Sequence, residues 1–368
     1  MPIESPRVLH VIARLNKGGT SRYLHGLIKD LEQMQVESLL AVGHVQGNEI
    51  EDESLQSLKH ARVNSLGRRI NPVRDVLAYF ELKQIVNEYQ PDLIHTHTFK
   101  AGLLGRLLKT ETPIVHTFHG HLLTDPEFLG FKQRVIIGIE KVLAKRSVAL
   151  ITVGEKVSEE LLAVGIGKRD QYLSIASEID SIDFISRDAA RQKQSIEDEN
   201  QVVVVWMARL VGVKNPYLAI EVAKLLPKAL FLISGGGDLY EQLKKDAPAN
   251  VRVLGWQEPS EVIPAGDIFL STSVNEGVPY SILEAQSFGL PVVSVRAGAV
   301  EEVVIETETG YVTDADAAQL AARIQSLIRD PSARLKMGEW ARSRSLEATG
   351  KKAKATAHLA LYRQILAR

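Results

Sequence analysis

Short runs of β-branched residues alternate with longer helical patterns along this chain, and the whole alternation occurs twice. Residues 8–12, 38–42, 93–95, 114–117 and 149–153 read as buried strands, with helical stretches at 22–34, 73–89 and 134–145 between them. A second series places strands at 202–207, 229–234, 251–254, 268–271 and 292–295. Its helices fall at 216–226, 239–246, 282–288, 315–329 and 331–346. Strands separated by helices of this length pair as parallel neighbours joined by right-handed crossovers. The expected fold class is therefore α/β, with two doubly wound parallel-sheet domains facing across a cleft. A length of 368 residues exceeds one typical core and suits two.

The first domain is expected over 1–180 and the second over 181–350, with residues 188–201 read as an exposed polar helix or loop between them. The segment 351–368 is basic and helical, and His358, Leu359, Leu361, Tyr362, Ile365 and Leu366 form one apolar stripe on it. Hydrophobic content of 45% and charged content of 24% are those of a globular protein. A net charge of −1 does not advertise a nucleic-acid partner, and none is expected. The absence of cysteine excludes disulfides, thiolate catalysis and Cys-ligated zinc. The first residues, MPIESPRVLHVIARL, lack a basic region followed by a long apolar core, so no signal peptide is expected. The apolar run 202–208 is far short of a membrane span, and the expected location is cytoplasmic. A basic, apolar stretch at 128–147 suits either a helix lying on an anionic membrane or a domain helix burying one side.

Five segments carry chemistry. Gly18 and Gly19 follow the first strand and open a helix, where backbone N–H groups can face phosphate. The dinucleotide fingerprint G-x-G-x-x-G is absent there, and a plain strand-to-helix turn is the alternative. Arg209 and Lys214 follow the strand VVVVWMA, at the carboxyl end where open α/β sheets bind ligands. Gly235 and Gly237 end another strand, but Tyr240 occupies the third fingerprint position and no acidic residue closes the next strand, which argues against a dehydrogenase. Of ten histidines, His95, His97, His116, His119 and His121 crowd into 95–121. His95 and His97 share a face in an extended strand, which leaves zinc open, but no carboxylate stands at a familiar metal spacing and no metal is expected. Glu276 sits on a Gly-Val-Pro turn and Glu284 inside a helical segment, seven residues intervening. Carboxylates beside a helix start suit sugar hydroxyls better than phosphate.

The pattern E-G-x-P, then E-A-x-x-x-G-x-P-V-V, then a glycine and Glu302, resembles the E-x7-E signature of retaining glycosyltransferases of the group 1 or family 4 type. That resemblance implies two Rossmann-like domains in the GT-B arrangement, with 351–368 crossing back onto the first. It implies transfer of a sugar from a nucleotide diphosphate donor, with uridine favoured, to a glycan or lipid-linked acceptor in surface polysaccharide assembly. Arg209 and Lys214 would clamp the donor diphosphate, where fixed cations stabilise the charge that develops on the leaving group. Glu276 would hold the transferred sugar, Glu284 the ribose, and backbone groups at Gly277 and Val278 the diphosphate. Gly18 and Gly19 would touch donor phosphate and acceptor, and Gly235 and Gly237 would lie near the nucleotide. His119, in the segment VHTFHG, resembles the residue that approaches donor sugar and phosphate. No cofactor or metal is implied. A sugar-nucleotide epimerase of the same two-domain shape is the alternative. The chain departs from the family at Ser177-Glu178-Ile179-Asp180, where Asn-Gly-Ile/Val-Asp is usual, and at Ala299, where a second glycine is common. A different local turn is expected at Glu178.

Overall fold

The computed structural model describes residues 5–47, 49–120, 123, 129–179, 182–348 and 352–367. His121 and Asp180 lie outside the described residues. The chain divides into two compact units. The first holds the described residues of 1–123, 127–178 and 352–368, and the second those of 179–351.

The first unit is built on β1 (Arg7–Ile12), β2 (Glu37–Val42), β3 (His60–Arg62), β4 (Leu93–His97), β5 (Ile114–Phe118), β6 (Ala149–Thr152) and β7 (Tyr172–Ser174). Its helices are α1 (Gly19–Gln33), α2 (Pro72–Tyr89), α3 (Phe99–Leu107), α4 (Phe131–Ala144), α5 (Glu155–Ala163) and α14 (Ala353–Leu366). All strand pairs are parallel, in the order β3-β2-β1-β4-β5-β6-β7. The order reverses between β1 and β4, so loops leaving their carboxyl ends diverge and open a crevice. Leu9, Val11, Ala41 and Ile94 pack on one face with Ala78 and Leu82 of α2 and Ala101 and Leu104 of α3. On the other face Ile12, Leu40 and Val42 pack with Leu24 and Ile28 of α1. Each such fully buried side chain contributes about 2 kcal/mol over an exposed one.

The second unit holds α6 (Arg187–Lys193), then β8 (Val203–Met207), α7 (Pro216–Leu225), β9 (Leu230–Ser234), α8 (Tyr240–Asp246), β10 (Val251–Gly255) and α9 (Pro259–Val262). It continues with β11 (Ile268–Ser271), α10 (Tyr280–Phe288), β12 (Val292–Val295), α11 (Val300–Val303), β13 (Gly310–Thr313), α12 (Ala317–Arg329) and α13 (Pro331–Ala348). Its sheet is parallel throughout, in the order β10-β9-β8-β11-β12-β13, with the reversal between β8 and β11. Two apolar layers enclose it, one with α7 and α12 and one with α10. The polar stretch 188–201 is less exposed than its composition suggests. Ala190 joins the core, and Arg191 is buried, donating to the carbonyls of Asp198 and Gln201 at 2.9 Å.

Among the described residues no helix is long and apolar enough to cross a membrane. Glu178 is not among the residues with positive φ, so the local turn needs no glycine. Its carboxylate instead accepts the backbone N–H of Lys354 at 3.1 Å, in the first turn of α14, where unsatisfied donors and the helix dipole favour a negative charge. Ala299 has φ −91 and is fully buried, a conformation that alanine adopts without strain.

Candidate active site

The second unit's site is assembled at its switch point. Arg209 and Lys214 leave the end of β8, and Glu276 leaves the end of β11 beside it. Val274 N–H donates to the Val213 carbonyl at 3.0 Å, tying the two loops together. Thr272 Oγ1 accepts the Trp206 indole N–H at 2.8 Å and lies 2.8 Å from the Asn215 carbonyl, which fastens the Lys214 loop from beneath. With both loops held, Lys214 Nζ meets Glu276 Oε1 at 2.5 Å, the two side chains only 18% and 11% exposed. Charge-assisted bonds of this kind are about twice as strong as neutral ones.

Two glycines permit the close backbone packing around this pair. A Cβ on Gly298, at φ +49, would stand 1.8 Å from the Glu276 carbonyl oxygen, and one on Gly235, at φ +150, 1.8 Å from that of Ala208. The Gly235–Gly237 loop is thereby laid against the backbone before Lys214, with Leu210 N–H donating to the Gly236 carbonyl at 2.8 Å. The Gly277 carbonyl accepts Ala299 N–H at 3.1 Å. Val278 is buried, and Glu284 is buried within α10. Gly298 is the glycine that precedes Glu302 in the sequence pattern, and the structure shows that it packs on the Glu276 carbonyl.

His119, Gly18 and Gly19 belong to the first unit. Gly18 caps α1, and His119 follows β5. Tyr23, in the first turns of α1, stands edge-on to His119 at 4.7 Å, which brings the glycine turn and the histidine together. Behind them lies a buried polar layer. Alternation puts His95 and His97 on one face of β4, and the parallel register sets His10 beside His95 and Thr117 beside His97. From α14, Tyr362 Oη lies 2.6 Å from His95 Nδ1, and Tyr23 Oη lies 3.1 Å from His358 Nε2. His116 projects from the opposite face and pairs with Thr96 at 2.8 Å. Burial is the largest cause holding these imidazoles neutral. It lowers His10 and His119 to about 3 and His358 to about 4, and His95, His97 and His116 well below their ordinary value.

His10, His95 and His97 form a group of three possible metal ligands close enough to share an ion. The donor set fits a metal poorly. Both His95 nitrogens are held at 2.6 Å, by Tyr362 and Thr117, and both His97 nitrogens face His10 and His119 at 3.3 and 3.2 Å. Sequence reading missed His10 and Tyr23, and it placed His358 and Tyr362 on an apolar stripe without foreseeing their polar partners. The signal for His10 was the strand order, which makes β1 and β4 neighbours.

Residues 186–344 match the profile of the glycosyl transferases group 1, and residues 17–171 match that of glycosyltransferase family 4. The chain belongs to the group 1, family 4 glycosyltransferases. This glycosyltransferase is 29% identical over 248 residues to UDP-Gal:alpha-D-GlcNAc-diphosphoundecaprenol alpha-1,3-galactosyltransferase of Escherichia coli. The match takes in 62% of this chain and 64% of that protein, slightly under two thirds of the relative's length. Sucrose-phosphate synthase of Thermosynechococcus elongatus superposes with a TM-score of 0.86 at 19% identity, covering 98% of this chain and 99% of the other. Anabaena HepE, solved in complex with UDP-glucose, gives 0.78 at 19% identity and covers 98% of each chain. At these identities the structural likeness establishes the GT-B fold.

Proposed function

We propose that this glycosyltransferase moves a sugar from a UDP-sugar to a hydroxyl of a lipid-linked glycan, with retention at the anomeric carbon, in surface polysaccharide assembly. The observation that carries this is the Lys214–Glu276 pair at the switch point of the second sheet. A cation and a carboxylate fixed together there suit the two ends of one ligand: Lys214 and Arg209 the diphosphate, Glu276 the sugar hydroxyls. Backbone N–H groups at Gly277 and Val278, next to the start of α10, add to diphosphate binding. Glu284 takes the ribose, and Gly235 and Gly237 let the backbone approach the nucleotide. In the first unit, which takes the acceptor, Gly18 and Gly19 let the backbone approach and His119 meets the donor sugar. The acidic and basic groups named here include no group placed as a nucleophile. The departing phosphate oxygen therefore takes the acceptor proton as the new glycosidic bond forms on the face the diphosphate leaves. The named E. coli and Anabaena proteins support uridine as the base and a polyprenyl-diphosphate glycan as the acceptor.

Thermal denaturation with UDP, GDP and ADP, with and without EDTA, is the first test. UDP alone should raise the melting temperature, equally in EDTA. UDP-sugars are then supplied with a polyprenyl-diphosphate-linked N-acetylglucosamine, and the product anomer is read by NMR. An α-linked product from an α-linked donor supports the reading. An inverted product overturns retention. Isomerisation of the nucleotide sugar without acceptor would make the protein an epimerase, and no shift with any nucleotide would remove the diphosphate site.

A lipid-linked acceptor calls for membrane contact, and α2 offers a face for it, as does α4, where Phe131, Val135 and Val142 are exposed. Val73, Val76, Leu77 and Phe80 on α2, with Ile70 before it, are each half or more exposed. They follow helical spacing on the side away from buried Ala78, Leu82 and Val86. Arg69 and Arg74, both exposed, line a cavity of about 280 Å³ near the start of this stripe. An apolar stripe edged by cations suits an anionic bilayer. The protein should float with phosphatidylglycerol vesicles, and Val76→Glu with Phe80→Glu should reduce binding at least about 100-fold, since two side chains at roughly 1.5–3 kcal/mol each are lost. Unchanged flotation of that variant would remove α2 from the contact.

A further inference from the structure

Three imidazoles in the first unit stand in line. His10 Nδ1 lies 3.3 Å from His97 Nε2, and His97 Nδ1 lies 3.2 Å from His119 Nε2. The rings are tilted by only 19° and 33° from one to the next. Burial keeps them neutral, so each carries one N–H. Two links between three rings use two protons and leave one for an end of the line. One end is His10 Nε2, which is buried and has no hydrogen-bond partner among the described residues. Placing the proton there would orphan an N–H in the core, a costly arrangement. The other end is His119, the one residue of the three that is not fully buried, at the carboxyl end of β5. The line therefore runs from His10 Nδ1–H to His97 Nε2, and from His97 Nδ1–H to His119 Nε2. The remaining proton sits on His119 Nδ1.

The setting of His119 supports this order. His358 Nδ1 faces the Lys354 carbonyl at 2.7 Å and must donate to it, so His358 Nε2 accepts the Tyr23 hydroxyl proton at 3.1 Å. Tyr23 is thus fixed from behind and holds its edge against the His119 ring.

We propose that His97, backed by His10, is a positioning residue that locks His119 as its Nδ1–H tautomer, so that His119 offers the bound nucleotide sugar a hydrogen-bond donor and no lone pair. This rests on the reading that His119 meets the donor substrate. In this state His119 stabilises an oxygen that gains charge, and it is not a general base, because its unengaged nitrogen already holds a proton.

Nitrogen NMR of the full-length, ligand-free protein with ¹⁵N-labelled histidine tests the tautomer independently of any reaction. His119, assigned by its loss in His119→Gln, should show a pyrrole-type Nδ1 and a pyridine-type Nε2. The reverse pattern would overturn the proposal. In His97→Phe the two His119 signals should become averaged, and kcat should fall roughly 10- to 100-fold while KM for the nucleotide sugar changes less than about threefold, as when other partners that orient a histidine are removed. His97→Asn, which keeps a polar group where Nδ1 was, should recover most of the rate. A fall in His97→Phe that His97→Asn shares in full, or no fall in either, would remove the positioning role. Absence of transfer in the unaltered protein would instead sink the assigned reaction and leave the tautomer result standing.

Discussion

Replacing Glu276 with alanine should lower sugar transfer by about 10³-fold or more and leave UDP affinity unchanged or higher. The first effect follows from removing a fixed, ionised acceptor from the sugar, where single preorganised groups contribute about 10²- to 10³-fold or more. The second follows from the geometry of the pair. Lys214 is engaged by Glu276 at 2.5 Å, and the variant releases it for the diphosphate. Arg209→Ala combined with Lys214→Ala should weaken both UDP binding and transfer. Isothermal titration with UDP alongside steady-state kinetics separates these outcomes. A Glu276→Ala protein that transfers at the original rate, or that loses UDP affinity as strongly as the double variant, would contradict the roles given to these residues.

Mild acid should unfold the first unit and spare the second. Five imidazoles, those of His10, His95, His97, His116 and His358, are at most 1% exposed. Their folded pKa values are depressed, chiefly by burial, well below 6.5. Above about pH 6.5 neither the folded nor the unfolded chain protonates them, and their full contribution to stability is present. As pH falls below 6.5 the unfolded chain takes up protons that the folded one refuses, so stability falls until the folded values, near 3 to 4 for His10 and His358, are reached. Each of the five imidazoles lowers stability as the pH falls below 6.5, and together they act against the marginal stability of a single domain. The second unit, residues 179–351, contains no histidine and all three tryptophans, Trp206, Trp256 and Trp340. Far-ultraviolet circular dichroism should therefore lose part of its amplitude near pH 5 while tryptophan emission keeps its native maximum. Simultaneous loss of both signals, or a first unit intact at pH 4, would contradict the neutral state of the layer.

The architecture was legible because buried parallel strands read as short β-branched runs, and ten of the thirteen strands among the described residues were visible in that way. The three missed strands, His60–Arg62, Tyr172–Ser174 and Gly310–Thr313, lie at sheet edges, are three or four residues long, and lack such runs. The apolar face of α2 escaped notice for a different reason. Its hydrophobic residues fall on both sides of the helix, so the periodicity that marks a one-sided helix is blurred. Lys214 and Glu276 could each be singled out by local motif. Their contact across 62 positions depends on β8 and β11 being neighbours, which local sequence does not encode. The histidine layer was half legible for the same reason: His95 and His97 are adjacent on one strand, but His10 and His358 reach it from 85 positions before His95 and 261 after His97.

The placement of α14 gives this protein an order of assembly. Its His358 and Tyr362 complete the polar layer of the first unit, and Glu178 fastens its first turn. Those residues leave the ribosome only after every residue of the second unit. During synthesis, then, the unit that begins the chain waits with its histidines and Tyr23 uncovered while its successor folds. What emerges first is finished last, and the two halves mature in the reverse of the order in which they are written.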